Sequence, residues 1–379
     1  MNHQLIFVNQ EYTGLQEYLQ QSDCHRILLV HGHSLRNLAI GKFFMAVVPR
    51  MGIEIVEYTD FHSNPCIESA VRGAKLCRDK NCDMIVGCGG GSALDVAKCI
   101  RLFCEADMDR PEFWKNLPTG KLPLLAIPTT AGTGSEATHF AVVYYKGDKL
   151  SIGEMNNIPS VTIIDPDVLC SLPLYQKRST MLDALCHAIE SYWSIHATLE
   201  SQFYAREALR IINNNYQEYL REQSSLQCRL DMMMAAHLAG KAINISKTTA
   251  GHAMCYKLTS LYGVPHGEAA MLCLTRLWSL MLRMPTGETL QQAFQEISHA
   301  MGCVSANEVV KRLVKLLHAW GMDVPLEKSV GKVSLQAQML ATSVNSERLQ
   351  NHPVPLDEDD FYYVYQQILT GKFLGVEGE

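Results

Sequence analysis

The residues of this chain best suited to chemistry lie in two stretches. Asp183 and His187 stand four apart in Met181-Leu-Asp-Ala-Leu-Cys-His-Ala-Ile-Glu-Ser-Tyr-Trp193, where Leu182, Leu185, Ala188 and Ile189 mark an apolar side. On an α-helix, residues i and i+4 share one face, so a carboxylate and an imidazole so spaced can clamp one divalent cation. Alone, such a pair is more often a surface or capping contact. A second stretch changes the balance: Gly251-His-Ala-Met-Cys-Tyr-Lys-Leu-Thr-Ser-Leu-Tyr-Gly-Val-Pro-His-Gly267. His252 opens an apolar helical run, and His266 sits in the Pro-His-Gly turn that ends it, so the two imidazoles can converge. One carboxylate and three imidazoles suit Fe(II), Zn(II) or a neighbouring first-row metal.

These groups need helices to hold them. From about Leu174 onward the chain reads as helices over 178–196, 199–219, 225–245, 250–261, 268–282, 289–301, 306–320, 330–341 and 357–369. The first part differs. Short β runs at 6–8, 26–30, 53–57, 84–86 and 124–127 alternate with amphipathic stretches such as 34–50 and 66–80. That alternation predicts a parallel sheet covered on both faces, with ligands beyond the carboxyl ends of its strands. The breaks at Ile164-Asp-Pro-Asp167 and Leu172-Pro173 predict an α/β nucleotide-binding domain over 1–173 and an all-α domain over 174–379.

Two polar turns fall where a ligand is expected. Gly87-Cys-Gly-Gly-Gly-Ser92 follows the strand 84–86 and opens a helix at Ala93. Its glycines let backbone N–H groups approach an anion, and the helix N-terminus adds its positive dipole end. A lone Gly-rich turn is a weak signal, and this one comes too late in the chain for the usual dinucleotide fingerprint. A second turn, Thr129-Thr-Ala-Gly-Thr-Gly-Ser-Glu136, follows strand 124–127 after Pro128. Two such loops beyond neighbouring strands favour a dinucleotide over a single phosphate.

Composition narrows the class. The chain has 379 residues, 47% of them hydrophobic and 19% charged, enough for two soluble domains with real cores. A net charge of −6 gives no reason to expect nucleic acid or an anionic membrane as partner. The first residues lack the pattern of a signal peptide, and no apolar run approaches a bilayer span. Thirteen scattered Cys without a Cys-x-x-Cys read as reduced thiols, hence a cytoplasmic expectation.

Over essentially its whole length the chain resembles the iron-containing alcohol dehydrogenase family. The likeness is carried by Gly89-Gly-Gly-Ser92 with Asp95 and Lys98, by Pro128-Thr-Thr-Ala-Gly-Thr-Gly-Ser-Glu136, by Asp183-Ala-Leu-Cys-His-Ala-Ile-Glu190, and by His252 with Pro265-His266-Gly267. The resemblance implies a nucleotide-binding α/β domain followed by an all-helical one, and a homodimer. It implies that Asp183, His187, His252 and His266 bind the catalytic metal, usually Fe(II) and sometimes Zn(II). Likewise it assigns Gly89, Gly90, Gly91 and Ser92 to the pyrophosphate loop, Thr129, Thr130 and Thr133 to the nicotinamide side, and Asn64 and Lys149 to further cofactor contacts. The implied chemistry is hydride transfer between NAD(P)H and the carbonyl carbon of a metal-polarised aldehyde.

Two departures from the family pattern bear on specificity. Many members carry an Asp after the second strand, which bonds the adenosine ribose and repels a 2′-phosphate. Here Gly32 stands at that position, in His31-Gly-His-Ser-Leu-Arg36, and Ser34 or Arg36 can meet an extra phosphate, which points to NADPH ahead of NADH. Many members also carry a His four residues after His252. Here it is Tyr256, a poorer proton relay at neutral pH, followed by Lys257. Lys247 and Lys257 flank His252 and would suit an anionic substrate, although lysines on a solvated face are the commoner case. Residues 247–260 and 136–143 are similar to the branch that reduces phosphonoacetaldehyde to 2-hydroxyethylphosphonate, whose dianionic head a lysine would meet. Uncharged aldehydes or diols are the competing substrates. In a different class, dehydroquinate synthase shares the architecture but uses one Glu and two His for its metal. A catalytically dead scaffold is disfavoured by the intact ligand set. Glu136 and Glu190 read as structural or as supports of the ligands.

Overall fold

The computed structural model describes residues 3–326, 333–344 and 349–373. Six short runs form one parallel sheet: β1 Gln4–Phe7, β2 Arg26–His31, β3 Glu54–Tyr58, β4 Met84–Gly89, β5 Leu124–Pro128 and β8 Val161–Ile164, in the order β1-β8-β5-β4-β2-β3. The inner strands are almost continuously apolar, as strands covered on both faces must be. Every residue of β4 and β5 is buried. Helices α1 Thr13–Gln21, α3 Ile67–Asp79 and α4 Gly91–Phe103 belong to the crossovers. Leu28, Val30, Ile85, Val96, Ile100 and Phe103 form one core cluster between sheet and helices.

Register decides where the loops emerge. His31 pairs with Cys88, and Gly89 with Pro128, so β2, β4 and β5 end side by side. The turns beginning at Gly32, Gly90 and Thr129 therefore leave the same edge of the sheet, as the alternation predicts.

Three local features depart from the sequence reading. The stretch 34–50 is no single helix. It breaks into 3₁₀ turns at His33–Asn37 and Val48–Met51, a short α2 Ala39–Lys42 and a π turn at Phe43–Val47. Leu38 is extended in its middle, and Pro49 supplies no N–H. The strands of an antiparallel hairpin, β6 Phe140–Tyr145 and β7 Asp148–Gly153, were not expected. Their turn, Lys146-Gly147, has both residues at positive φ, the geometry that matches strand twist, but without the Asn-Gly signature. β8 was likewise unexpected.

Among the described residues the remaining elements are helices: α5 Leu174–Trp193, α6 Leu199–Tyr219, α7 Leu226–Ser246, α8 Ala250–Tyr262, α9 His266–Met281, α10 Glu288–Ala300, α11 Ala306–Ala319, α12 Val333–Thr342 and α13 Glu358–Thr370. Expected residues 330–332 lie outside the described residues. Capping boxes start α6 at Thr198 and α13 at Asp357. Among the described residues no helix is long and apolar enough to cross a membrane.

The chain divides into two compact units. One is Met1–Pro173 with Gln223–Met233, and the other is Leu174–Glu222 with Met234–Glu379. Segment 223–233, read from sequence as part of the helical domain, thus groups with the α/β unit. Within that unit Arg229 donates to the Asp167 carboxylate at 2.7 Å and the Pro166 carbonyl at 3.0 Å.

Candidate metal centre and nucleotide loops

Helix α5 is buried from Met181 to Trp193, so the polar groups on this part of it face other side chains rather than water. Asp183 lies at the middle of a cluster. Its Oδ1 is 3.4 Å from His252 Nε2 and 3.8 Å from the Nε2 atoms of His187 and His266. The His187 and His252 rings stack at 4.5 Å and 14°. A tetrahedral ion with bonds of about 2.1 Å needs ligand atoms roughly 3.4 Å apart, so the Asp183–imidazole distances fit a first-row metal, while His266 lies outside the set whose ligand atoms are all mutually close. Ligand atoms of Asp183, His187 and His252 all lie within 4.8 Å of one another. Burial works to raise the Asp183 carboxyl, but the three imidazoles hold it well below the usual carboxylate range.

Glu190, one turn beyond His187, orients the second helix. Its Oε2 meets His252 Nδ1, and its Oε1 accepts from Thr249 Oγ1 and the Gly251 N–H, each at 2.7 Å. With Nδ1 held, His252 presents Nε2 to the cluster, the carboxylate–imidazole support of a metal ligand. Glu190 is fully buried, which by itself raises its carboxyl, yet the His252 charge and these hydrogen bonds bring it below its ordinary value. Burial opposes the charge of His252, while Glu190 and Asp183 push its imidazole up to about 9.

His266 differs from the sequence reading. It is the first residue of α9, with Pro265 before it, rather than a turn residue. Gly267 then packs against α5 so closely that an added Cβ would lie 2.0 Å from the Ser179 carbonyl oxygen and 2.9 Å from the Asp183 nitrogen. Absence of a side chain lets α9 start beside Asp183. Gly267→Ala is therefore expected to lose about 1–3 kcal/mol of stability and to weaken metal uptake together with it. Urea unfolding of the metal-free variant checks the first, and unchanged stability would show that the helices part at little cost.

The other expected residues are placed as follows. The Tyr256 ring stacks on His266 at 5.7 Å and 9°, so it joins the cluster's border. Lys257 is exposed, five residues beyond His252 and so turned about 140° from it around the helix; Lys247 is exposed in the turn before α8.

In the α/β unit the two loops touch. An added Cβ at Gly91 would lie 2.8 Å from the Thr133 methyl, and one at Gly90 3.6 Å from that of Thr130. No side chain caps α4, whose first turn begins at Gly91 and Ser92 with Gly89 closing β4 behind them. Thr129 is buried, and its N–H bonds the Gly89 carbonyl at 3.0 Å. Behind the loops, Asp95 accepts from Ser135 Oγ at 2.7 Å and the Val142 N–H at 3.1 Å. Fully buried Lys98 donates to Ser135 Oγ, Thr138 Oγ1 and the Phe140 carbonyl. Burial lowers its ammonium to about 8 despite nearby Asp95 and Glu136. These two motif residues thus position the second loop. Asn64 is exposed with φ 56°, in a loop tied to β6 where the Tyr144 N–H bonds the Pro65 carbonyl at 2.8 Å. Lys149 is half-buried on β7.

At the end of β2, space around Gly32 is open: an added Cβ meets no atom within 4 Å. Ser34 and Arg36 are exposed. A carboxylate does reach this region, from β3. Glu57 Oε2 lies 3.1 Å from Nε2 of buried His31 and 3.2 Å from the Arg36 guanidinium. Sequence reading missed Glu57, because its role depends on strand pairing.

Residues 2–166 match the model of iron-containing alcohol dehydrogenases, and residues 177–369 match that of the Fe-containing alcohol dehydrogenase C-terminal domain. The chain belongs to the iron-containing alcohol dehydrogenase family. Like other members of this family it is an alcohol/aldehyde oxidoreductase, which sets the dehydroquinate synthase and scaffold alternatives aside. The chain is 29% identical to long-chain-alcohol dehydrogenase 1 of Geobacillus thermodenitrificans, over 84% of this chain and 83% of the relative. To 1,3-propanediol dehydrogenase of Klebsiella pneumoniae it is 35% identical, over 58% and 57%. The crystal structure of sulfoacetaldehyde reductase from Bifidobacterium kashiwanohense in complex with NAD+ superposes with a TM-score of 0.85 at 26% identity, covering 97% of this chain and 96% of that one. This member of the family thus has the expected α/β-then-helical architecture.

Proposed function

We propose that the chain reduces a small aldehyde with a nicotinamide cofactor, NADPH ahead of NADH, at a centre held by Asp183, His187, His252 and His266. The observation that carries this reading is three imidazole Nε2 atoms within 3.4–3.8 Å of one buried carboxylate oxygen. A divalent ion, Fe(II) or Zn(II), held there supplies Lewis acidity to a carbonyl oxygen, and the nicotinamide supplies the hydride. The chain's own residues prepare the site. Glu190 fixes the His252 ring, and Gly267 admits the start of α9. Tyr256, stacked on His266, brings a hydroxyl that can carry a proton. Gly90 and Gly91, backed by the Asp95–Lys98 clamp, offer backbone N–H groups to the pyrophosphate.

Phosphonoacetaldehyde is the substrate we favour. Support comes from likeness to a sulfoacetaldehyde reductase, named for another two-carbon aldehyde ending in an anion, and from exposed Lys247 and Lys257 flanking His252. A second reading, uncharged aldehydes or diols, is favoured by the 1,3-propanediol dehydrogenase likeness and by the turn of Lys257 away from His252. NADPH oxidation at 340 nm by the Fe(II)-loaded protein separates them, with phosphonoacetaldehyde beside propanal and glycolaldehyde. A kcat/KM about tenfold or more in favour of phosphonoacetaldehyde supports the first. Equal or better rates with the others support the second, and no turnover with any overturns both.

The cofactor reading has its own test. Gly32→Asp should lower kcat/KM for NADPH about tenfold, since one new repulsion near 1.4 kcal/mol suffices. NADH should be little affected. An unchanged NADPH value would mean that Gly32 does not face the ribose.

A further inference from the structure

Of the four ligands proposed for the metal, His252 has its outer nitrogen held by Glu190. His266 is held in a different way. Its Nδ1 lies 3.5 Å from Sγ of Cys255, while its Nε2 faces Asp183. Cys255 is completely buried on α8, three residues after His252, and its thiol donates to the His252 carbonyl at 3.3 Å. With the S–H on the carbonyl, sulfur accepts from the ring and the His266 hydrogen sits on Nδ1. The Nε2 atom is then the bare nitrogen, on the side of the ring where Asp183 stands.

We propose that Cys255 is a positioning residue for the metal centre: its thiol joins the first residue of α9 to the first turn of α8 and sets the tautomer of His266. The inference rests on the metal reading above. It adds an asymmetry within the ligand set. Glu190 supports His252 with a charge, whereas Cys255 supports His266 with a neutral, polarisable and oxidisable group. Sulfur is a weak acceptor, so the support Cys255 gives His266 is weaker than the one Glu190 gives His252.

Serine in place of Cys255 keeps both roles, because a hydroxyl can donate to the His252 carbonyl and accept from Nδ1. Alanine keeps neither. The experiment titrates metal-free wild type, Cys255→Ser and Cys255→Ala with Co(II), reading affinity by competition with a chromophoric chelator and geometry by the visible Co(II) spectrum. Thermal unfolding of each metal-free protein confirms that it is folded. Removing an outer partner of a ligating His typically costs about 10–100-fold in metal affinity. Cys255→Ala is therefore expected to bind at least about tenfold more weakly with an altered spectrum, and Cys255→Ser to stay within about threefold of wild type. Equal affinity in wild type and Cys255→Ala overturns the inference while leaving the metal centre intact. Equal weakening by Ser and Ala also overturns it, since that marks packing by sulfur rather than a hydrogen bond. Failure of wild type itself to bind Co(II) is a different result, which removes the metal centre and this inference together.

Discussion

Asp183→Asn is expected to cut the Co(II) or Zn(II) affinity of the metal-free protein by at least about a hundredfold, the upper end of what loss of a mere supporting partner costs. Asparagine keeps the shape of the side chain and one oxygen, so the helices need not move. It discards the negative charge that all three imidazoles face. Three neutral nitrogens would then have to hold a dication in a buried site with no anion among them, and desolvation penalises a buried charge that lacks a partner. Aldehyde reduction should fall in parallel. Metal content after dialysis, by plasma mass spectrometry, and a chelator competition titration check the prediction. Stoichiometric metal at unchanged affinity would remove Asp183 from the ligand set.

Lys98→Met should have the largest effect on stability, lowering the unfolding free energy by about 3 kcal/mol, because several buried acceptors lose a charged hydrogen-bond donor at once. The methionine fills much of the space, so the loss is electrostatic. Ser135, Thr138 and the Phe140 carbonyl lose their common donor, and Asp95 loses the attraction of a buried cation. Lys149 still acts on Asp95, which limits the damage. Guanidinium denaturation measures it, and adding Asp95→Asn to Lys98→Met should recover part of the loss. Because Ser135 and Thr138 belong to the loop that meets Gly91, NADPH should also bind more weakly. A stability change below about 1 kcal/mol would show that these buried acceptors do not depend on the Lys98 ammonium.

Much of this was legible in the sequence because the signals were local. The i, i+4 spacing of Asp183 and His187 survives as one face of α5, and the α6 range 199–219 follows from its periodicity and its capping Thr198. His266 was placed in a turn because Pro265 and Gly267 read as breakers. In fact proline precedes the helix as a natural start, and the glycine serves packing against α5. The hairpin at 140–153 was missed because Lys146-Gly147 lacks a strong turn signature. Glu57 and Cys255 were invisible for a different reason. Each acts on a partner far along the chain or on a neighbouring element, Glu57 on His31 and Cys255 on His266, and nothing in local sequence announces such a meeting.

The return of segment 223–233 to the α/β unit sets the order in which that unit can be finished. A nascent chain emerging from the ribosome exposes Met1–Pro173 well before Gln223–Met233, so during synthesis the first unit waits for a piece that follows two long helices, α5 and α6. Arg229 cannot reach Asp167 and the Pro166 carbonyl until it has been made. The linear domain boundary at 173/174 is therefore a poor place to cut, because a fragment ending there lacks part of its own structure. A protease applied to stalled chains should find the first unit more open to attack at residue 222 than after Arg229 has cleared the exit tunnel.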